Sequence, residues 1–221
     1  MALKKTDSLW VDKLVTGAAT LGIALTPDTA AKLARFADRL VEWGAKMDLS
    51  SIDDLAAIRE KHFLDSIAGA RVIDRGAGSL VDLGSGGGFP GLVLAILDPA
   101  LRVLSVESRS KKGVFQRQVA RDLALPNFEA RTARIEDVVA REPAPTWITA
   151  RALADVVALI ELAGPWLADG ATLVAWKSSK LDEELVAASK ALADCGLTIA
   201  RRDVFSLPES GDPRTLLVLR R

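Results

Sequence analysis

Cysteine and histidine are almost absent from this sequence. Its 221 residues include a single cysteine, Cys195, and a single histidine, His62. One cysteine excludes an internal disulfide framework, and one histidine leaves no Cys/His cluster that could hold zinc. We therefore expect a protein of a reducing compartment, the cytoplasm, that holds no metal.

Long apolar runs and an excess of one charge are missing as well. No segment has the length of a signal-peptide core or the roughly 20 apolar residues of a membrane-spanning helix. The 29 basic and 29 acidic residues cancel, so the overall charge does not indicate a nucleic-acid partner. We expect a soluble, unprocessed protein without a membrane partner, and its 49% hydrophobic fraction is enough to fill one core.

One segment departs from this neutral balance. The interval from Arg109 to Arg134 contains seven basic and two acidic residues. The basic ones are Arg109, Lys111, Lys112, Arg117, Arg121, Arg131 and Arg134. Clustered cations bind the phosphates of nucleic acids, but the same composition also occurs on a solvated helix face. Both interpretations stay open on charge alone.

The first seventy residues have the pattern of helices. Thr26-Pro27-Asp28 is typical of a helix start, with an N-cap, a proline at the first helical position and an acid in the first turn. Asp53-Asp54 opens a second helical pattern. In the first pattern the residues on one side of the helix are Leu33, Phe36, Leu40 and Trp43. In the second they are Leu55, Ile58 and His62. We predict a helical N-terminal extension over residues 1–70.

From Ser79 onward, short apolar runs alternate with amphipathic segments. The predicted strands are 80–83, 102–106, 127–130, 147–149 and 171–176. The predicted helices between and after them are 90–98, 110–123, 135–141, 153–166 and 180–195. Repeated βα units predict a parallel sheet with helices on both faces.

Two further strands, Leu197 to Phe205 and Thr215 to Leu219, close the predicted sheet. They flank the turn-forming segment Pro208 to Pro213 with no helix between them, so the pair should be antiparallel. The predicted fold is α/β and Rossmann-like, a mostly parallel twisted sheet with an antiparallel last strand over residues 71–221. We expect this domain and the N-terminal helices to pack as one unit.

A glycine-rich loop joins the first predicted strand to the helix that follows. It runs from Val81 to Gly91 as Val-Asp-Leu-Gly-Ser-Gly-Gly-Gly-Phe-Pro-Gly. Glycine lets a backbone turn sharply and approach a ligand where a Cβ would collide. We therefore predict that Asp82, Gly84 and Gly86 lie at a cofactor.

Two classes of cofactor fit such a loop. Read from Gly86, the loop matches G-x-G-x-x-G, the fingerprint of nicotinamide and flavin dinucleotides. The Asp82 carboxylate would repel a pyrophosphate, whereas S-adenosylmethionine has no phosphate and carries an ammonium and a sulfonium. Glu107 lies directly after the second predicted strand, where a carboxylate can accept hydrogen bonds from ribose hydroxyls in either class.

Side chains after the later strands add to this predicted site. Ile135 and Glu136 follow the third strand, where an adenine ring would lie, although Glu136 also fits as the N-terminal charge of a helix. Arg151 follows the fourth strand, and Asp155, four residues on, is its one obvious nearby ion-pair partner. We expect these residues at the carboxyl edge of the sheet, where open α/β sheets bind ligands.

Together these residues resemble a known family, the RsmG or glucose-inhibited division protein B methyltransferases. The family pattern D-x-G-[ST]-G-x-G-[FL]-P-G is met in full by Asp82 to Gly91, and the resemblance covers roughly residues 40 to 180. Four shorter segments resemble other motifs of the family: Lys61 to Ser66, Glu107 to Lys112, Ala150 to Ala152 and Ala175 to Lys177. One departure is Asp48-Leu49-Ser50-Ser51 in place of Asn-Leu-Thr-Ser, which leaves the role of an amide side chain there open.

The resemblance implies a class I methyltransferase that uses S-adenosylmethionine to methylate N7 of a guanine in the 530 loop of 16S ribosomal RNA, either free or in the 30S subunit. It puts at the cofactor Gly84, Phe89, Ile135, Glu136 and Arg151. It puts near the RNA Lys111, Lys112, Arg151 and Lys177. Guanine N7 carries a lone pair and no proton, so we expect no general base and a positioning role for Arg151.

Other functions stay open at this point. A methyltransferase of the same fold could act on another RNA, a protein or a small molecule, but a small-molecule enzyme would not need the basic surplus at 109–134. A non-catalytic ribosome-assembly factor could keep a degenerate pocket, yet the intact set of Asp82, Gly84, Gly86 and Glu107 argues against decay. For His62 we weigh stacking on RNA against a packed, hydrogen-bonded histidine, and its place on a helical stripe favours the second.

Overall fold

The structure is a computed structural model that describes residues 5–45, 47, 49, 52, 54–74, 76 and 78–221. Asp53 lies outside the described residues, as do Asp48, Ser50 and Ser51 of the segment that departs from the family pattern.

Helices fill the described part of the N-terminal region. They are α1 (Ser8–Thr20), α2 (Pro27–Gly44), α3 (Leu55–Ile58), a π-helical turn (Arg59–Leu64), α4 (Asp65–Ile67) and a 3₁₀ turn (Ala68–Arg71). As predicted, α2 begins at Pro27, and the Thr26 hydroxyl accepts a hydrogen bond from the Thr29 amide at 3.1 Å. Asp54 caps α3 in the same way through the Ala57 amide at 2.9 Å. The predicted helical character is therefore confirmed, whereas the division at residue 70 stays a prediction.

A seven-stranded sheet forms the centre of the molecule. Its strands are β1 (Ser79–Leu83), β2 (Arg102–Glu107), β3 (Phe128–Thr132), β4 (Trp147–Arg151), β5 (Thr172–Lys177), β6 (Thr198–Ser206) and β7 (Pro213–Arg220). Their order is β3-β2-β1-β4-β5-β7-β6, and β7 pairs antiparallel with both of its neighbours. The first five strands pair in parallel. This topology confirms the predicted Rossmann-like α/β fold with an antiparallel last strand.

Five helices connect the strands. They are α5 (Gly91–Leu97), α6 (Ser110–Asp122), α7 (Ile135–Val139), α8 (Val156–Ala168) and α9 (Leu181–Asp194). The helix predicted from residue 153 begins at Val156 instead, because Asp155 is its N-cap and accepts a hydrogen bond from the Ala158 amide at 2.9 Å. The helix predicted over 135–141 ends at Val139.

Each face of the sheet has its own apolar core. Alternate residues of β1 point to opposite faces, so Leu80 joins one cluster and Leu83 joins the other. The first cluster includes Leu14, Phe36 and Phe115, and it joins the N-terminal helices to the sheet, α5 and α6. The second cluster lies under α7, α8 and α9.

The strand order reverses between β1 and β4, which places the glycine loop at a switch point. The connection after β1 leads to β2 on one side, and the connection after β4 leads to β5 on the other side. A crevice between the two connections therefore opens at the carboxyl ends of β1 and β4. In the part of the chain that the structure describes, no helix has the length and apolar character needed to cross a membrane.

Candidate cofactor and substrate site

The glycine loop after β1 takes a backbone conformation that other residues rarely adopt. The φ angles of Gly84, Gly86 and Gly88 are 65°, 56° and 93°. A Cβ on Gly84 would also lie 2.7 Å from Cδ1 of Leu153, which comes from the loop after β4. Both the conformation and the close approach therefore require glycine at residue 84.

A buried polar network lies beneath this loop. The Ser105 hydroxyl on β2 lies 2.5 Å from the Ser85 hydroxyl and 2.5 Å from Oε1 of Gln116 on α6. Gln116 Nε2 donates to the Ser85 hydroxyl and to the Gly86 carbonyl, both at 2.8 Å. Because all three side chains are buried, the network holds the loop by bonds that water does not weaken.

Glu107, at the end of β2, also contacts this loop. Its Oε2 accepts a hydrogen bond from the Gly86 amide at 2.9 Å, and its Oε1 accepts one from the Arg109 amide at 2.8 Å. A carboxylate offers about four acceptor sites, so two such bonds leave capacity for ligand hydroxyls. Glu107 is thus fixed by the backbone and still able to bind a ribose.

A cleft of about 350 Å³ opens above these groups. Five residues predicted at the cofactor line it: Gly84, Gly86, Glu107, Ile135 and Glu136. Lys112, predicted near the RNA, lines it as well, together with Arg109, Arg134 and Leu153. The structure therefore brings the ends of β1, β2 and β3 together around one space of nucleoside size.

Asp82 lies below this cleft and does not line it. Its side chain is fully buried, with Oδ2 accepting from the Gly91 amide at 2.9 Å and Oδ1 from the Thr149 hydroxyl at 2.8 Å. Burial raises the pKa of Asp82 to about 7, against the lowering effect of these two hydrogen bonds. In the structure the carboxyl group of Asp82 joins the loop to β4, and its direct action on the cofactor stays a prediction.

Phe89 also lies outside the cleft lining. Its ring stacks on Phe36 at 4.9 Å and on His62 at 4.8 Å, and it is buried between them. This packing joins the glycine loop to the N-terminal helices, and the cofactor contact of Phe89 stays a prediction.

Arg151 reaches away from the cleft toward the π-helical turn. It forms an ion pair with Asp65 at 2.9 Å and donates to the Lys61 carbonyl at 2.8 Å. The nearby candidate partner, Asp155, caps α8 instead, and the ion-pair partner Asp65 lies 86 residues upstream of Arg151. Burial raises the pKa of Asp65 although the charge of Arg151 opposes the shift.

His62 is packed and hydrogen-bonded in the structure. Besides stacking on Phe89, its Nδ1 lies 3.3 Å from a guanidinium nitrogen of Arg151. Burial, followed by the charge of Arg151, lowers the pKa of His62 to about 3. The ring is therefore neutral at physiological pH, which fits the packed alternative for this histidine.

The basic residues predicted near the RNA fall into two groups. Lys111 is exposed and Lys112 half-buried at the start of α6, and neither forms an ion pair with the described residues. Lys177 is buried, and its Nζ donates to the Ala154 carbonyl at 2.8 Å and to Glu184 at 2.7 Å. The sequence prediction for Lys177 missed these internal partners, which direct its charge away from the surface.

Two other residues of the basic segment are also occupied within the protein. Arg131 pairs with Glu129 and Glu142, and Arg117 donates to the Ala130 carbonyl at 3.2 Å. The cations that remain near the cleft without an ion pair among the described residues are Arg109, Lys111, Lys112 and Arg134.

Sequence reasoning missed the network of Ser85, Ser105 and Gln116. One signal was available for Gln116, since it follows Lys112 by one helical turn and so faces the same side of α6. For metals, no group of three or more His, Cys, Asp or Glu side chains suited to an ion occurs among the residues that the structure covers.

Comparisons with known proteins agree with this geometry. Residues 29–206 match the family model for rRNA small subunit methyltransferase G, or GidB. The chain is 40% identical over 211 residues to ribosomal RNA small subunit methyltransferase G of Geobacter metallireducens, covering 95% of this chain and 96% of the relative. It is 34% identical over 212 residues to the enzyme of the same name from Azoarcus sp., covering 96% and 97%.

Solved structures show the same fold at much lower identity. A SAM dependent methyltransferase from Aquifex aeolicus matches with a TM-score of 0.56 and 16% identity, over 76% of this chain and 95% of that one. A ribosomal protein L11 methylase from Lactobacillus delbrueckii subsp. bulgaricus matches with a TM-score of 0.55 and 16% identity, over 73% and 79%. Because the family model and the relatives match most of its length, this chain belongs to the rRNA small subunit methyltransferase G family, whose members are S-adenosylmethionine-dependent methyltransferases.

Proposed function

We propose that the enzyme holds S-adenosylmethionine in the cleft between the glycine loop and Glu107 and transfers its methyl group to N7 of a guanine in the 530 loop of 16S ribosomal RNA. The observation that carries this proposal is the cleft itself, in which a carboxylate fixed by two backbone amides faces the left-handed glycine loop. The matched relatives are ribosomal RNA methyltransferases by name, which supports the class of substrate.

In this proposal the residues of the cleft have separate roles toward the cofactor. Gly84 and Gly86 let the backbone come close to it, Glu107 accepts hydrogen bonds from its ribose, and Ile135 and Glu136 lie on the adenine side. Asp82 and Phe89 support the loop from below, and Arg151 anchors the end of β4 to the π-helical turn.

The chemistry requires positioning and no proton transfer. S-adenosylmethionine supplies an electrophilic methyl group, and guanine N7 presents a lone pair without a proton. Holding the two reacting atoms about 3–3.5 Å apart in line contributes roughly 7–11 kcal/mol to such a displacement. The neutral, packed state of His62 and the buried state of Asp82 are compatible with a reaction that uses no general base.

Cations at the mouth of the cleft are the proposed RNA contacts. Lys111 and Lys112 begin α6, next to the carboxyl edge of the sheet, with Arg109 and Arg134 beside them. Lysines at a helix N-terminus oppose the helix dipole by about 0.3–1 kcal/mol each, a cost that a phosphate contact would offset. We propose 16S RNA, free or within the 30S subunit, as the partner and the cytoplasm as the place of action.

A double substitution tests the RNA contacts. Replacing both Lys111 and Lys112 with Ala should lower the slope of log affinity against log salt for 16S RNA by about 1 to 2, since each phosphate contact contributes roughly 0.7–0.9. Affinity for S-adenosylmethionine, measured by calorimetry, should stay within about threefold of wild type for Lys111→Ala alone, because Lys111 does not line the cleft. It is measured for the double variant as well, because Lys112 does line the cleft.

The matched control removes two charges elsewhere. Lys13→Ala combined with Lys190→Ala changes the net charge equally at exposed positions of α1 and α9. Equal salt slopes for the Lys111/Lys112 variant and this control would remove the segment from the RNA interface.

A further inference from the structure

Lys177 is a buried cation whose charge the proposed function does not use. It ends β5, and only 6% of its side chain is exposed. Nζ donates to Oε2 of Glu184 at 2.7 Å and to the Ala154 carbonyl at 2.8 Å. A buried lysine is costly unless it is paired and hydrogen-bonded, so these two contacts define where its side chain lies.

Glu184 completes the arrangement from α9. The same Oε2 that pairs with Lys177 also accepts a hydrogen bond from the Val156 amide at 3.0 Å. Val156 is the first residue of α8, where amide groups have no partner within the helix. The ion pair therefore binds two backbone groups, the Ala154 carbonyl through Lys177 and the Val156 amide through Glu184. These bonds fix the end of the β4–α8 loop that adjoins α8.

This loop needs such support because its backbone is unusual. It begins directly after Arg151 with Ala152, whose φ of 53° lies in the left-handed region that residues with a Cβ seldom adopt. Such conformations persist where the surrounding structure imposes them, often beside functional sites. The next residue, Leu153, lines the proposed cofactor cleft and packs against Gly84.

We propose that Lys177 and Glu184 form a clamp on the β4–α8 loop that presses Leu153 against Gly84 and so sets one wall of the cofactor cleft. Lys177 is then a positioning residue for cofactor binding, one loop removed from the ligand, and it makes no phosphate contact. The inference rests on the proposed position of the cofactor beside the glycine loop.

Opposite charges in the clamp make it separable from an RNA contact. If Lys177 bound phosphate, its loss would weaken RNA binding, and loss of the negative Glu184 would strengthen it. If the two residues act as a clamp, losing either one weakens cofactor binding. The two models thus predict that a change at Glu184 alters different quantities: RNA affinity rises in the first, and cofactor affinity falls in the second.

The test measures binding of S-adenosylmethionine and salt-dependent binding of 16S RNA by Lys177→Met and Glu184→Gln. We expect Lys177→Met to weaken cofactor binding about tenfold and Glu184→Gln at least about threefold, as is typical when a charged buried hydrogen bond is lost. Both variants should keep the wild-type salt slope for RNA. The control Lys180→Met removes the same charge from an exposed position three residues on and should change neither quantity.

Two further variants keep the test decisive. Leu153→Ala should weaken cofactor binding, and combined with Glu184→Gln the losses should be less than additive, because both act through one contact. Glu107→Gln reports on the site itself: if it weakens binding while Glu184→Gln and Lys177→Met do not, the clamp is wrong and the site stands. If Glu107→Gln also binds normally, the proposed position of the cofactor is wrong. A lower salt slope in Lys177→Met with unchanged cofactor affinity would make Lys177 an RNA contact.

Discussion

Two features require glycine at residue 84, the positive φ angle and the close approach of Leu153, and they can be tested separately. Gly84→Val introduces a side chain at a φ of 65° and into contact with Leu153. Gly22→Val introduces the same side chain at a φ of 81° after α1, where a Cβ meets nothing within 4 Å. Both variants should lose about 1–3 kcal/mol of unfolding free energy from backbone strain, and only Gly84→Val should lose S-adenosylmethionine binding.

Calorimetry and urea unfolding of both variants check this expectation. If Gly84→Val bound the cofactor within about threefold of wild type, the glycine loop would not be the cofactor site.

The predictable site residues are those whose position follows from the nearest strand end. Glu107 is the last residue of β2, and Ile135 and Glu136 begin α7 shortly after β3. The carboxyl ends of parallel strands meet at one edge of the sheet, so these residues lie together. Asp82 and Arg151 could not be assigned in this way, because their partners Thr149 and Asp65 lie 67 and 86 residues away. A single sequence contains no signal for such distant pairs.

Among the elements, α6 links the proposed RNA surface to the cofactor loop. Its first turn carries Lys111 and Lys112, and its second turn carries Gln116, which donates to the Gly86 carbonyl. Gln116→Leu keeps the helix and a similar volume, but it leaves the Gly86 carbonyl without its donor and the Ser85 and Ser105 hydroxyls with only each other as partners. We expect S-adenosylmethionine affinity to fall about tenfold, since unsatisfied buried groups cost roughly 1–3 kcal/mol.

The matched variant for this prediction lies on the same helix. Gln118 is half-buried and bonds to Asp122 at 2.8 Å, remote from the glycine loop. Calorimetric titration of Gln118→Leu should give the wild-type dissociation constant. Equal affinities for Gln116→Leu and Gln118→Leu would show that the polar network does not support the cofactor loop.

The spacing of hydrophobic residues predicts which segments are helices and which are strands, but it did not predict the π-helical turn. The π-helical turn Arg59–Leu64 departs from the period on which the stripe of Leu55, Ile58 and His62 was based. Its side chains bind a distant turn: Arg59 pairs with Glu209 at 2.6 Å, and Glu60 accepts from the Ser210 amide at 2.5 Å. These contacts cross about 150 residues of chain, so local periodicity does not reveal them.

For the whole molecule, the buried Asp82 predicts a dependence of stability on pH. Its pKa is about 7 in the folded protein and 3.8 when exposed, so the folded state binds the proton more tightly. The resulting stabilisation is complete below about pH 4 and is lost as the pH rises to about 7. Asn does not ionise, so Asp82→Asn avoids this loss. The free energy of unfolding of the variant relative to wild type should therefore rise between about pH 4 and 7, by at most about 4 kcal/mol.

Urea unfolding of both proteins between about pH 4.5 and 8 measures the difference. His62, whose pKa is lowered to about 3, acts in the opposite sense, but it is present in both proteins and cancels in the comparison. Parallel stability curves would mean that Asp82 is ionised throughout and that burial does not govern its pKa.

The most direct measurement of the whole account follows the methyl group to its acceptor. The wild-type enzyme is incubated with methyl-labelled S-adenosylmethionine and either unmodified 30S subunits or free 16S RNA, and the modified base is mapped by cleavage chemistry specific for 7-methylguanosine. We predict label at N7 of a single guanine in the 530 loop in at least one of the two substrates. Label on ribosomal protein, on another base position, or on neither substrate while the cofactor still binds would contradict it.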